Sequence, residues 1–425
     1  MTTAENYDAV VSGRSAIRQW KDHRGVPGTF VASLFPDGTS PDGGSDGLSL
    51  LEAMAVASAR RAVADAGITC SDGGTLLVLS TTKGNVEWLD DGTHATERAL
   101  PTASAAIVAS RLGITTPPIV VDNACISGLS ALITASRLLE MGLYDHAVVV
   151  GAEAQGRFII SGFQSLKAMS PQPCRPFDIE RTGLNLGEAA ATIVLSRGSD
   201  TDAAWKVVGG CVRNDAFHLS APSRTGEGAY EALTGCLGDS PTDDIALISA
   251  HGTATLFNDQ MESVAIERAA LGTLPVSAMK GYYGHTMGAC GVLETALMMY
   301  ALDQGCILPT KGFSEPGVSG KIDVVMEPRH TERKSFVKML SGFGGCNAAA
   351  LLSRRPVQGH SAGMPKDGFY IAKTIHLDAN SMILAGHQEN FPNGGRQILT
   401  DLYKKYVGDY PKFYKMDLLS RLGFI

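Results

Sequence analysis

Hydrophobic and polar positions along this chain fall into two alternating rhythms. Short runs rich in leucine and β-branched residues predict strands: GTLLVLSTTKG (74–84), PPIVVDNAC (117–125), HAVVVGAEA (146–154) and AAATIVLSR (189–197). Between them, LSLLEAMAVASARRAVADAG (48–67) and GLSALITASRLLEMG (128–142) carry apolar residues at helical spacing and stop at glycine, which ends helices readily. Strand-helix-strand alternation of this kind favours buried, largely parallel sheets.

A polar break, GSDTDAA (198–204), precedes a second set. WKVVGGCVRND (205–215) and DIALISAHGTAT (244–255) read as strands, and MESVAIERAALG (261–272) as a helix. PVSAMKG (275–281), the helical GACGVLETALMMYAL (288–302), IDVVMEP (322–328) and SFVKMLSGFGGCNAAALLSR (335–354) complete it. Each set has a strand that ends in a reactive residue, Cys125 in the first and His251 in the second. The pattern predicts two similar α/β halves facing each other, residues 1–200 and 201–355. Residues 356–425 form a tail richer in aromatic and basic residues, beyond the Pro/Gly/Ser stretch RPVQGHSAGMPKDG.

Composition narrows the function. The 425 residues, 44% hydrophobic and 19% charged, describe a folded chain too long for one small core. A formal charge of −7 argues against a general nucleic-acid binder. No apolar run reaches the ~18 residues of a membrane span, and MTTAENYDAV lacks a signal pattern, so a cytoplasmic location is expected. Eight cysteines with no C-x-x-C pair predict free thiols rather than a disulfide frame or zinc site. No phosphate loop, dinucleotide fingerprint or metal-spaced His/Glu set is present.

Cys125 stands where a strand gives way to a helix. Orphan amides there favour thiolate, while a packed thiol is the plainer reading. His251 closes a strand and is followed by Gly252, Thr253 and Thr255; His285 follows a glycine-containing loop, five residues past Lys280. One cysteine with two histidines at strand-loop-helix edges makes a nucleophile arrangement in which a second imidazole can stabilise an oxyanion. Lys280 and Glu294 read equally as surface charges or as supports of His285. SGFGGCNAA (341–349) is a tight hairpin, or a source of main-chain N–H donors that glycine brings close to a ligand.

Several segments, in order, resemble one family. NACISG (123–128), CRPFDIERTGLNLGEAAA (174–191), NDAFHLSAP (214–222), HGTATLFND (251–259), KGYYGHTMGACGVLE (280–294) and GFGGCNA (342–348) resemble motifs of the β-ketoacyl-acyl carrier protein synthases, condensing enzymes of the thiolase superfamily. The resemblance runs from about Tyr7 to Arg354. It implies a five-layer αβαβα core of two related halves, usually a dimer, either with itself or with a second synthase-like subunit. It implies no cofactor, since substrates arrive on the phosphopantetheine of acyl carrier protein.

By this resemblance Cys125 takes the acyl group, and malonyl-carrier protein then loses carbon dioxide. His251 and His285 steady the enolate, and its carbon attacks the acyl-cysteine. Amides of Cys125 and Phe343 form the oxyanion hole, with Phe343 gating the acyl pocket. Lys280 and Glu294 match a supporting ion pair, and Thr253 and Thr255 match contacts to the pantetheine arm. Ile126 and Phe163 are implied to line the acyl pocket. Chemically, two neutral imidazoles can donate to a thioester enolate without protonating its carbon, and no metal is needed.

Two departures stand out. The family's first strand, of V-x-I-T-G-x-G type, is missing before ENYDAVVSGRSAIRQW (5–20). The tail holds a possible strand pair, GFYIAKTIHLDANSMI (368–383), and DYPKFYKMDLLSRLGFI (409–425), similar to an early family segment. It reads as the opening of a second synthase-like unit, as a supplier of the missing strand, or as a docking element whose Lys412 and Lys415 meet the acidic carrier. Ile126 stands where the family has Ala or Ser, which with STTKGNVEW (80–88) suits a specialised polyene or polyketide pathway as well as bulk lipid synthesis. A thiolase or initiating synthase acting on coenzyme A esters usually replaces one histidine. A non-elongating, chain-length-factor-like partner usually lacks the cysteine.

Overall fold

The computed structural model describes residues 2–39, 41, 47–89, 92, 94–198 and 204–354, together with the backbone of three short strands beyond them. The chain divides into two units, Met1–Ala362 and Gly363–Ile425. In the first, helix α1 (Thr3–Val11) starts at a capping box in which Thr2 and Glu5 satisfy each other's amides. A hairpin of β1 (Arg18–His23) and β2 (Val26–Ser33) follows, an element the hydrophobic pattern does not announce. Helix α2 (Leu50–Ala66) repeats the capping device with Ser49 and Glu52 and ends at Gly67, whose φ of 63° is left-handed.

The first large sheet is built from β3 (Thr75–Ser80), β4 (Ile119–Val121), β5 (His146–Glu153) and β7 (Ala189–Ser196), in the order β4-β3-β5-β7. Its first three strands are parallel and β7 is antiparallel. The short β6 (Leu186–Gly187) instead joins β2. Helices α3 (Pro101–Leu112), α4 (Ser127–Glu140) and α5 (Arg157–Ser165) connect these strands.

The second sheet contains β8 (Lys206–Asn214), β9 (Ile245–Ser249), β10 (Pro275–Ser277), β12 (Asp323–Val324), β14 (Ser335–Gly342) and β15 (Cys346–Ser353). Their order is β12-β10-β9-β14-β15-β8, while β11 (Cys306–Ile307) pairs with β13 (Arg329–His330) apart from it. Its helices are α6 (Glu227–Leu237), α7 (Leu256–Arg268), the single turn α8 (Lys280–Tyr283) and α9 (Cys290–Asp303). The plan of the first sheet recurs: β10, β9 and β14 are parallel and β15 is antiparallel. Strands β7 and β15 even share a closing Leu-Ser-Arg, at 195–197 and 352–354. Among the described residues no strand lies on the outer side of β7, the place β8 fills beside β15.

Strand alternation sorts the core into layers. Leu77 and Leu79 of β3 face α2 and α3, where they pack with Leu51, Val56 and Val108. Leu76 and Val78 face the other way, onto α4 and α9. Those two helices also meet Phe336 and Leu340 of β14, whose alternate residues Val337 and Met339 pack outward on α6 and α7. The sequence helix, sheet, helix, sheet, helix is the five-layer αβαβα arrangement. Beyond this unit lie β16 (Ile375–Leu377), β17 (Ser381–Leu384) and β18 (His387–Asn390), an antiparallel sheet of three. The expected docking lysines Lys412 and Lys415 lie outside the described residues, as does the possible opening of a second unit at 409–425.

The middle layer is held to backbone contact by glycine. A Cβ on Gly128 of α4 would stand 2.9 Å from the Gly288 carbonyl, and one on Gly291 of α9 only 2.3 Å from the Leu129 nitrogen. Alanine normally improves a helix interior over glycine by about 1 kcal/mol. Here a main-chain clash opposes that gain, at about 1–3 kcal/mol for an overpacked core. Gly291→Ala is therefore expected to lower stability in urea unfolding; a variant more stable than wild type would contradict this packing.

Candidate active site

The nucleophile candidate sits on a sharp turn. After β4 ends at Val121 the chain passes Asp122 and Asn123 into Ala124, whose φ of 44° is left-handed and strained for a residue with a Cβ. Ser127 holds the turn: its hydroxyl accepts from the Asn123 amide at 2.8 Å and donates to the Ala124 carbonyl at 2.6 Å. Cys125 follows, 6% exposed, just before α4 begins. The hairpin between β14 and β15 closes on it. A Cβ on Gly342 would stand 3.1 Å from the Cys125 nitrogen, so glycine permits the approach. The Phe343 main-chain amide is thereby brought near the Cys125 thiol, where it favours the thiolate.

Both histidines come from the second half. Strand β9 delivers His251, whose amide and that of Gly252 each donate to the buried Glu262 carboxylate at 2.7 Å. His285 lies between α8 and α9, its amide on the Asn185 carbonyl at 2.6 Å and its carbonyl on the Gly187 amide at 3.0 Å. The Met287 amide donates to His285 Nδ1 at 3.3 Å, which leaves the proton on Nε2. His251 Nδ1 and His285 Nε2 have no hydrogen-bond partner among the described residues, although both are buried. The imidazoles meet edge-on, with centroids 4.9 Å apart and an interplanar angle of 79°. The thiol and one nitrogen of each ring lie within 4.8 Å of one another, all buried.

Charge in this pocket follows burial. Both histidines are held well below the usual imidazole range, first by burial and then by the Lys280 charge. Burial also pushes the Cys125 thiol up to about 11, although the Phe343 amide and Lys280 pull the other way. Desolvation thus opposes the helix start that the sequence offers as a source of thiolate. The resting site contains a neutral thiol and two neutral imidazoles.

Behind the rings lies an ion cluster. Lys280 Nζ meets Glu294 Oε1 at 2.5 Å, and Lys338 Nζ meets Glu294 Oε2 at 2.5 Å, all three residues buried. Burial works to raise the Glu294 carboxyl, but the two lysines overcome it and hold it below its ordinary value. The Lys280–Glu294 pair expected from the sequence is therefore present in the interior; Lys338 and Glu262 were not singled out. Lys338 does leave a signal, as a charge inside the otherwise apolar run SFVKML. Glu153 is a further buried carboxylate, accepting from Thr82 and Gly288 amides at 2.9 Å each.

The remaining candidates take distinct places. Phe163 and Phe343 stack with centroids 5.7 Å apart. Thr253 and Thr255 join hydroxyls at 2.9 Å, Thr253 buried and Thr255 half-buried at the start of α7. Ile126 is fully buried in the cluster between the sheets, apart from the cluster that holds Phe163.

Comparisons with known proteins agree with this geometry. Residues 45–201 match the model described as "Beta-ketoacyl synthase, N-terminal domain", and residues 205–314 match its C-terminal domain. Nodulation protein E of Rhizobium meliloti (strain 1021) is 31% identical over 374 residues, covering 79% of this chain and 91% of that protein. The tetracenomycin polyketide synthase ketoacyl synthase alpha subunit of Streptomyces glaucescens is 31% identical over 399 residues, covering 83% and 93%. Among solved structures, the ketosynthase ApeO in complex with its chain length factor ApeC from Xenorhabdus doucetiae superposes with a TM-score of 0.70 at 26% identity, covering 83% of this chain and 94% of that one. No helix among the described residues is long and apolar enough to cross a membrane. With the buried cysteine and two histidines in place on a five-layer core, this chain belongs to the β-ketoacyl synthase family.

Proposed function

We propose that the protein joins an acyl group to malonyl-acyl carrier protein by decarboxylative Claisen condensation, giving 3-oxoacyl-acyl carrier protein. The carrying observation is the convergence of Cys125, His251 and His285 within 4.8 Å in a buried site. In the first step Cys125 Sγ bonds to the acyl carbonyl carbon, and the carrier's thiol leaves with the proton the cysteine gives up. In the second, malonyl thioester loses carbon dioxide and its electron pair becomes an enolate. The Nε2–H of His285 is free to donate to the enolate oxygen, with His251 beside it. The enolate carbon then attacks the acyl-cysteine, and the tetrahedral oxyanion lies at the amides of Phe343 and Cys125. Collapse expels the Cys125 thiolate, which takes up a proton from solvent to restore the resting thiol.

Lys280 and Glu294 support the His285 segment, Phe343 stacked on Phe163 closes the acyl pocket, and Thr253 and Thr255 hold the pantetheine arm. Ile126, packed inside, limits room beside the nucleophile. The substrates belong to fatty acid or polyketide synthesis, and the polyketide relative and the ketosynthase–chain length factor complex favour a specialised polyketide-type pathway. That complex also supports a partner subunit beside acyl carrier protein, with a homodimer as the other arrangement. Such a system operates in the cytoplasm. The intact trio disfavours a non-elongating partner subunit, which would have no use for Cys125.

Incubation with acyl-carrier proteins of graded length is expected to add one acyl mass to the wild type and none to Cys125→Ala. His285→Ala should retain acylation and lose malonyl decarboxylation by about 10²–10³-fold, the scale of one lost oxyanion donor. Loss of acylation with retained decarboxylation would overturn these roles. A thiol titrating at about 11 predicts a pH trend as well. Iodoacetamide labelling of Cys125 in the substrate-free protein should accelerate about tenfold per pH unit between pH 8 and 10, following the thiolate fraction. A rate already level at pH 8 would contradict the neutral resting thiol.

A further inference from the structure

We infer that Lys338 is a positioning residue of the condensing site: from inside β14 it holds the strand end that carries His251 and sets a second cation behind the imidazole pair. This rests on the function proposed above and assigns a residue that the cysteine, the histidines and the Lys280–Glu294 pair do not include. Strand β14 is buried from Ser335 to Ser341, and Lys338 is 0% exposed. Apolar residues would fill that position without the desolvation cost of burying an ammonium. Its side chain lies on the same face as Phe336 and Leu340, toward α9. There its ammonium donates to Glu294 Oε2 at 2.5 Å, to the Ser249 carbonyl at 3.2 Å, to Ser249 Oγ at 3.3 Å and to the Ala250 carbonyl at 3.1 Å. Ala250 immediately precedes His251, so one side chain ties the His251 strand to the carboxylate that Lys280 shares.

The electrostatic consequence follows from counting. Burial holds the Lys338 ammonium below its ordinary value, against the pull of Glu294. Two ammonium groups share one carboxylate, which leaves one positive charge beside two imidazoles in a buried region where solvent screens it little. Lys280 and Lys338 both press His251 and His285 toward the neutral form. Other ionisable groups around the site include Glu262 beneath the His251 amide with Asp259 beside it, Glu153 beyond Gly288, Lys83, Tyr283, and the thiols of Cys125 and Cys290. Burial brings both glutamates up to about 7, so neither is a full counter-charge near neutrality. The extra cation suits a reaction whose developing charge is negative and whose histidines must donate without ionising.

The test compares Lys338→Met with Lys338→Gln in the full chain, measuring malonyl-carrier protein decarboxylation against pH and Cys125 acylation by intact mass. Without the cation the histidines protonate at higher pH. The acid limb of decarboxylation should therefore move up by about one pH unit in both variants. Lys338→Met should also lose about tenfold or more in the plateau rate, and Lys338→Gln less, because its amide can still donate to a carbonyl of Ser249 or Ala250. Should Lys338→Met fail to fold, the limb of Lys338→Gln decides. An acid limb at the wild-type pH in a folded variant overturns the inference, even if the plateau falls, because that pattern is a packing role alone. Absence of acylation in the wild type instead overturns the proposed function itself, and is read separately.

Discussion

One buried carboxylate organises the centre of this protein. Glu294 extends from α9 and takes a lysine on each oxygen, Lys280 from the turn before His285 and Lys338 from β14. An ion cluster out of water is costly unless every member is paired, and removing one partner exposes the cost of the others. That penalty makes the arrangement directional: α8, α9, β14 and the end of β9 keep their relative positions together. The histidines inherit their places largely from these anchors, which leaves His285 Nε2 and His251 Nδ1 without partners and one nitrogen of each ring within 4.8 Å of the Cys125 thiol.

The two halves contribute unequally. The first supplies a strained turn and a helix start, and the second supplies both imidazoles and the hairpin that closes on the thiol. They can meet because α4 and α9 touch backbone to backbone at Gly128 and Gly291, with no side chain between. Close contact also buries the site. Burial raises the thiol and lowers the imidazoles, so neutral donors confront a neutral nucleophile until a thioester enters. The same desolvation that makes Cys125 a poor resting thiolate makes hydrogen bonds to an enolate strong.

Much of this was legible in the sequence. Short apolar runs marked β3, β5, β7, β9, β14 and β15, because strands buried on both faces admit little but apolar residues. The ordered motifs around Cys125, His251, His285 and Gly342 disclosed the site, since strand ends fix where such residues emerge. The hairpin β1–β2 escaped notice: Arg18–His23 is largely polar and exposed, and its partner strand carries Pro27 and Gly28. Helices α3 and α5 were also missed, α3 being rich in alanine and serine and α5 short. Lys338 and Glu262 stayed hidden for a different reason. A lone charge in an apolar strand or helix shows its meaning only when its partners, distant in sequence, are seen around it. Burial was likewise unreadable, and at Cys125 it opposes the thiolate that the helix start favours.

Burial and the lysine cluster together keep both active-site imidazoles neutral. The most direct measurement is a pH titration of the wild-type protein carrying isotope-labelled histidine, followed by NMR, with His251→Ala and His285→Ala used only to assign the two signals. Both signals should stay those of neutral imidazole through the range about pH 6.5 where ordinary histidines protonate, with the Nε2-protonated tautomer at His285. Protonation of either ring near its ordinary value would contradict the account.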